Sequence, residues 1–457
     1  MDKDRLRELD RKLIWHPYTQ MKDFEKRQIL FIDRGQGVYL YDLDENRYFD
    51  TISSWWCIVH GHNHPVIRKH IEAQLKRLDQ VHFAGTTHSG PVLLAEKLSQ
   101  LLPHGLEKFF YSDNGSTACE VAIKMSLQYW KHAGEEKREK FIALERGYHG
   151  DTIGTMSLGG VPAFEGPFQA LTFDSLTVPP PYCYRCPCKL GAYTPGRAPN
   201  CNLECIGFLE KLLEKEGRDV AAIILEPMLM GAGGMISYPA GYLERVRELS
   251  MKYGVHLILD EVATGFGRTG RMFAMEHAGI TPDFVCLSKG ITGGTLPLAV
   301  TVTSQEIFNA FYADYTEGKT FFHGHTFTAN PVCASAALGS LEVFEQERVM
   351  EHLPQKVERL QEGKMRFADI PMVGDIRGIG MVAAFELVED PRTKRPFPAE
   401  KRVGWQVYLK GLGKGLILRP LSDVIYLFLP LAVTVDEIDR ILELTFETIS
   451  EVYGSVA

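Results

Sequence analysis

The sequence predicts an α/β fold, with a large domain around a mainly parallel sheet and a smaller α+β domain behind it. Three observations predict this. From about residue 107 to 304, short apolar runs alternate with stretches of helical periodicity. Several of those runs are apolar without alternation, as strands covered on both faces must be. After Pro331 the pattern changes to two helices, a hairpin and a closing helix. Composition agrees: the 457 residues are 45% hydrophobic and 24% charged, ordinary values for a globular chain of roughly two to three domains. A net charge of -8 argues against nucleic acid as the main partner, which would need a concentrated basic field. No run nears the roughly twenty apolar residues of a membrane span. The opening MDKDRLRELD lacks the apolar core and small-residue cleavage site of a secretory signal. A cytoplasmic protein is therefore expected.

In chain order, GQGVYLYDLDENRYFD reads as a hairpin within an N-terminal segment, 1–52, expected to pack with the small domain. The large domain is expected over 53–340. There EKFFYSD is a strand and GSTACEVAIKMSLQYWKHA an amphipathic helix that opens on Gly115-Ser116. KFIALER, DVAAIILEP, VHLILDE, DFVCLSKG and LAVTVTS are further strands. The small domain, 341–457, takes in most of the helices near 332–347 and 348–368. VGDIRGIGMVAAFELV reads as an antiparallel hairpin, followed by a helix near 400–412, short strands at 416–428 and a helix near 435–453.

Ligands of open α/β sheets bind outside the carboxyl ends of the strands. Four segments end strands in polar residues or glycine: Ser112 to Ser116, Glu226 with its glycine-rich sequel, Asp260-Glu261, and Ser288-Lys289-Gly290. An amine and a carboxylate at two strand ends suit pyridoxal phosphate, the amine holding the aldehyde and the acid keeping the pyridine nitrogen protonated. The helix start at Gly115-Ser116 suits a phosphate. One Asp or Lys at a strand end is commonly a cap or a solvated charge; the three features together are harder to explain that way. GFGRTG (265–270) matches a dinucleotide fingerprint formally, but five residues separate it from the strand and no helix opens there. Nor is it a P-loop, since Arg271 stands where lysine is needed.

LILDEVATGFGRTG with DFVCLSKGITGG resembles the signature of class III pyridoxal-phosphate aminotransferases, as do SDNGSTACEVAIKM, GYHGDTIG, EP with GAGG, and HGHTFTANPVCASAAL. The resemblance spans nearly the whole chain. It implies a fold type I transferase that uses pyridoxal 5'-phosphate and works as a homodimer with shared active sites. Lys289 would be the Schiff-base lysine and proton shuttle, and Asp260 the partner of the pyridinium nitrogen. Gly115 and Ser116 would cradle the phosphate, with His325 nearby and Thr326 reaching it from the second subunit. Tyr148 would lie over the cofactor ring, facing substrate, although ordinary aromatic packing is the plainer reading of that residue alone. Glu226 would sit near the cofactor; the family often has Gln where this chain has Met230, so no role follows through that neighbour.

IWHPYTQM, SSWWCIVHGHNHP and LRPLSDVIYLFLP resemble the biotin-pathway branch of the family, which aminates 8-amino-7-oxononanoate, usually with S-adenosylmethionine as donor and in some relatives with lysine. That implies a substrate pocket of Tyr18, Trp55, Tyr148, Gly324, Arg419 and Tyr426. Arg419 would hold the carboxylate bidentately, a geometry that suits guanidinium. Two other readings stay open: another class III enzyme acting on an ω-amine or ω-amino acid, and a non-catalytic metal-binding protein on the same fold. His60, His62 and His64 alternate as strand ligands would, but the glycine and proline among them favour a loop. Cys183, Cys186, Cys188, Cys201 and Cys205 read first as a thiol-rich surface insertion and second as two knuckles of a structural zinc site. No catalytic metal is expected.

Overall fold

The computed structural model describes residues 2–27, 29–188, 193–196 and 202–456. Asp2 caps the first helix, Lys3–Leu13, by accepting from the amides of Asp4 and Arg5. The segment read as a hairpin folds as an antiparallel sheet of β1 (Ile32–Gln36), β2 (Tyr39–Asp42) and β3 (Arg47–Phe49). Asp42 closes the second turn by accepting from the amides of Asp44 and Asn46. This sheet does not end on itself. Phe49 donates its amide to the Gly415 carbonyl at 2.8 Å and accepts from the Ile417 amide at 3.1 Å.

The central sheet contains β4 (Lys108–Ser112), β5 (Lys140–Leu144), β6 (Leu176–Val178) and β7 (Val220–Leu225). A two-stranded ribbon, β8 (Leu229–Met230) with β9 (Ile236–Ser237), follows β7; β10 (His256–Asp260), β11 (Phe284–Leu287) and β12 (Ala299–Thr303) complete the sheet. Strand order is β4-β12-β11-β10-β7-β5-β6. Only β12 runs antiparallel to its neighbours β11 and β4. Every residue of β7 and β10 is buried, which is why VAAIIL and HLILD show no polar alternation. The helix Gly115–His132 lies against this sheet and starts with a capping box, the Asn114 side chain and Thr117 exchanging bonds with each other's amides.

Asn330 caps Pro331–Gln346, and Val349–Gly363 follows. The C-terminal sheet is antiparallel in the order β13 (Val373–Ile379), β14 (Val382–Leu387), β15 (Val424–Phe428). Helices Val403–Leu412 and Val435–Val456 pack beside it. The strands expected over 416–428 reduce to β15, with Leu416 making one isolated bridge to Phe49. Pro420 interrupts the stretch because it has no amide to donate. Among the described residues no helix is long and apolar enough to cross a membrane.

Candidate active site

Strand ends of the central sheet converge on one cavity of about 420 Å³. Asp260 ends β10, Ser288 and Lys289 follow β11, Glu226 follows β7, and Asp113 to Ser116 link β4 to its helix; all line the cavity, with Trp56, Tyr148, His149 and Leu296 to Leu298 as walls.

Lys289 lines the cavity and is partly buried, and desolvation lowers its ammonium below the usual lysine range, with Asp260 and Glu226 opposing that shift. A desolvated amine is a better nucleophile and base. Its Nζ lies 5.4 Å from the centre of the Trp56 ring. Its backbone sits at φ 44, the left-handed region, a conformation that costs about 1–3 kcal/mol and recurs at functional sites. Asp260 is held from two sides: Oδ1 accepts from the Val262 amide at 3.0 Å, and Oδ2 lies 2.8 Å from His149 Nδ1. His149 Nε2 is buried without a partner among the described residues; because an ionised carboxylate only accepts, the bond to Asp260 needs the proton on Nδ1. Cys119 lies beside them, the three donor atoms falling within 4.8 Å of one another. Glu226 accepts the Tyr148 amide at Oε1 (3.2 Å) and the Gly231 amide at Oε2 (2.8 Å). Burial still pushes its carboxyl up to about 7.

Tyr18, Trp55 and Arg419 do not line the cavity but cluster beside its Tyr148 wall, the side we take as its mouth. There the Arg419 guanidinium lies 4.1 Å from the Trp55 ring centre and 6.0 Å from that of Tyr18. Tyr18 donates to both Asp151 oxygens, at 2.7 and 2.8 Å. Burial and then that bond push its hydroxyl up to about 12. Burial also raises the Tyr148 hydroxyl well above the usual tyrosine range, helped by Tyr18. Phe164 joins the two, edge-on to Tyr18 at 5.1 Å and to Tyr148 at 5.9 Å.

Residues 21–449 match the aminotransferase class-III family. The chain is 46% identical to the adenosylmethionine-8-amino-7-oxononanoate aminotransferase of Geobacter sulfurreducens over 453 residues, 99% of each chain. With the enzyme of that name from Aquifex aeolicus it shares 44% identity over 97% of this chain and 96% of the relative. The crystal structure of the Methanocaldococcus jannaschii enzyme superposes with a TM-score of 0.93 at 41% identity, covering 98% of this chain and 99% of that one.

The chain belongs to the class III aminotransferases.

Class III aminotransferases use pyridoxal 5'-phosphate, and the cavity fits that group. A methyl on Gly115 would lie 2.5 Å from Val262 Cγ1, and one on Gly150, at φ +131, would overlap Ser116 Oγ. Backbone can thus approach closely at the helix start, where the first-turn amides have no helical partner. The Lys289 amine and the His149-oriented Asp260 carboxylate line the same cavity and are an amine and an acid of the kind that would hold the cofactor's aldehyde and ring nitrogen.

Within this aminotransferase the tryptophan pair divides. Ser53, Ser54 and Trp56 have φ of 51, 57 and 69, so the two rings leave the chain in different directions. Trp55, 37% exposed, meets Arg419; Trp56, 5% exposed, lines the cavity. Tyr426 is buried behind Trp56 and accepts its indole N–H at 3.1 Å. Gly324 and Thr326 are exposed and outside this cavity. Between them, His325 Nδ1 lies 2.7 Å from Asp113 Oδ2, and the Thr326 carbonyl accepts from Gln80. Sequence reasoning missed Trp56, His149, Asp151 and Phe164. His149 and Asp151 stand inside GYHGDT and Trp56 inside SSWW, whereas Phe164 lies in no motif.

The alternating histidines scatter: His60 bonds Ser340, His62 Asp50 and His64 Glu347. GFGRTG forms a turn whose Arg268 donates to the carbonyls of Leu429 and Ile58. Of the cysteine insertion, Cys201 lies outside the described residues. Its described part packs on the C-terminal sheet, where Tyr182 and Arg185 bond Glu386.

Proposed function

We propose that the enzyme aminates the ketone of 8-amino-7-oxononanoate, giving 7,8-diaminononanoate in biotin biosynthesis, with S-adenosylmethionine as amino donor. The observation that carries this reading is the mouth of the cavity. One guanidinium, Arg419, stands against Trp55 and Tyr18 with no salt-bridge partner among the described residues, outside the lining that holds the Lys289 amine. A long apolar keto acid needs such an aromatic passage with one fixed charge at its far end. The relatives' names add independent support.

When bound, pyridoxal phosphate would supply an aldehyde able to carry an amino group and a ring able to spread an electron pair. Lys289 Nζ takes the proton from the donor's carbon and later returns a proton to the carbon of the former ketone. Asp260, fixed by His149 and the Val262 amide, holds the proton on the ring nitrogen. Arg419 binds the substrate carboxylate. Trp56 and the Leu296 to Leu298 wall exclude water from the reacting carbon.

The reading includes a homodimer in the cytoplasm. Phe322 and Phe327, 80% and 61% exposed, flank Gly324 and Thr326, an apolar loop that a second subunit would cover while Thr326 reached that subunit's phosphate. Segment 1–52 would pack with the small C-terminal domain, 341–457, a reading supported by the pairing of Phe49 with Gly415 and Ile417; 53–340 would be the large cofactor-binding domain. The test of the substrate compares the free keto acid with its methyl ester. Wild type should clearly prefer the acid, and Arg419→Ala should lose most of that preference. Equal use of acid and ester by wild type would refute the reading, and replacing S-adenosylmethionine by lysine in the same assay decides the donor.

A further inference from the structure

Three carboxylates reach the cavity from strand ends, and two are committed. Asp260 is engaged by His149 and the Val262 amide, and Asp113 by His325. Glu226 differs. Each of its oxygens accepts one backbone amide, from Tyr148 and from Gly231, whereas a carboxylate can accept about four hydrogen bonds. No ion pair to it exists among the described residues, and Lys289 is the only ammonium lining the cavity. The carboxyl is 5% exposed, so its unused acceptor sites face the cavity or packed protein rather than bulk water.

Its position is fixed from behind. The Tyr238 hydroxyl donates to the Glu226 carbonyl at 2.6 Å, and the Arg377 guanidinium donates to the carbonyls of Gly234 and Met235. The glycine-rich turn that carries the Gly231 amide is thereby held against the C-terminal sheet. One ring packs against both this turn and the catalytic amine: a methyl on Gly231 would lie 3.0 Å from the Trp56 indole, and Lys289 Nζ stands over the same indole. Glu226 therefore borders the space next to the reacting atom. A carboxyl that burial pushes up to about 7, with no ion pair among the described residues, gains from a cation brought in by the substrate.

We propose that Glu226 is a specificity residue: its carboxylate pairs with the ammonium that the keto substrate carries on the carbon beside its ketone. The inference rests on the substrate reading above, since 8-amino-7-oxononanoate has its amine on C8 and its ketone on C7. The competing role, stitching the turn through backbone amides alone, predicts no effect that depends on that amine.

The experiment measures kcat/KM of the holoenzyme for 8-amino-7-oxononanoate and for 7-oxononanoate, which lacks the amine. Wild type should favour the amine-bearing ketone by roughly ten- to a hundredfold, as expected for a charged hydrogen bond, and Glu226→Gln should reduce that ratio to within about threefold of unity. If Glu226→Gln does not accumulate as holoenzyme, Glu226→Asp, which keeps the charge but withdraws it by one methylene, should lower the ratio. A wild-type ratio near unity, or a ratio unchanged in the variants, overturns the role of Glu226. Failure of wild type to turn over 8-amino-7-oxononanoate at all would refute the substrate reading instead.

Discussion

The floor of the cavity comes from strand ends in the middle of the chain, whereas its mouth comes from segments near opposite ends. Asp260 and Glu226 are buried, Lys289 is partly buried, and all three stand at or just after the ends of strands that the sheet holds in register. Tyr18 and Trp55 are 47% and 37% exposed, and Arg419 reaches them from a stretch without regular secondary structure. The contrast separates two jobs. A low-dielectric floor sets the charge state of an amine and an acid, which any transamination requires. A looser aromatic mouth selects what is long enough and charged in the right place, and it can change without disturbing the floor.

Breaking the floor should abolish chemistry whatever the substrate. Lys289→Ala should lose more than roughly 10⁴-fold in kcat, the upper end for a general acid–base group, with both the keto acid and its methyl ester. A near-normal rate in that variant would remove Lys289 from the mechanism. Asp260→Asn should come next, losing about 10²–10³-fold, because a neutral amide no longer holds a proton on the ring nitrogen. His149→Ala should cost less than Asp260→Asn in the same steady-state assay, since it frees Asp260 without discharging it. A larger loss for His149→Ala would give the imidazole a role of its own.

Mouth variants should act selectively. Arg419→Lys keeps the charge but loses the fork, and it should lower kcat/KM for the free acid by about tenfold, within the roughly 1.5–3 kcal/mol of a charged hydrogen bond. The methyl ester should be almost unaffected. The smallest effect belongs to Phe164→Ala. Losing two edge-on ring contacts, each worth about 0.5–1.5 kcal/mol, should raise KM for the long keto acid about three- to tenfold with little change in kcat. An equal loss with short ketones would make Phe164 a packing residue only.

The same contrast explains what the sequence made legible. Floor residues sit at the ends of unbroken apolar runs, so their strands and their shared edge followed from pattern alone. The mouth depends on backbone that pattern does not report. Nothing in SSWW indicates three left-handed residues, so the pair could not be divided into Trp55 at the mouth and Trp56 at the amine. Phe164 lies in a four-residue helix too short for periodicity. The hydrogen bond between Tyr18 and Asp151 joins segments that only the folded chain brings together. His149 was within reach, because a histidine beside Tyr148 in a polar loop is a natural second support for Asp260.

Absorbance of the purified holoenzyme through two half-reactions tests the central claim most directly. Adding S-adenosylmethionine alone should shift the cofactor band, and adding 8-amino-7-oxononanoate should restore it with stoichiometric formation of 7,8-diaminononanoate. A band that is restored by a short ketone but not by 8-amino-7-oxononanoate would contradict the account, leaving an aminotransferase with a different substrate.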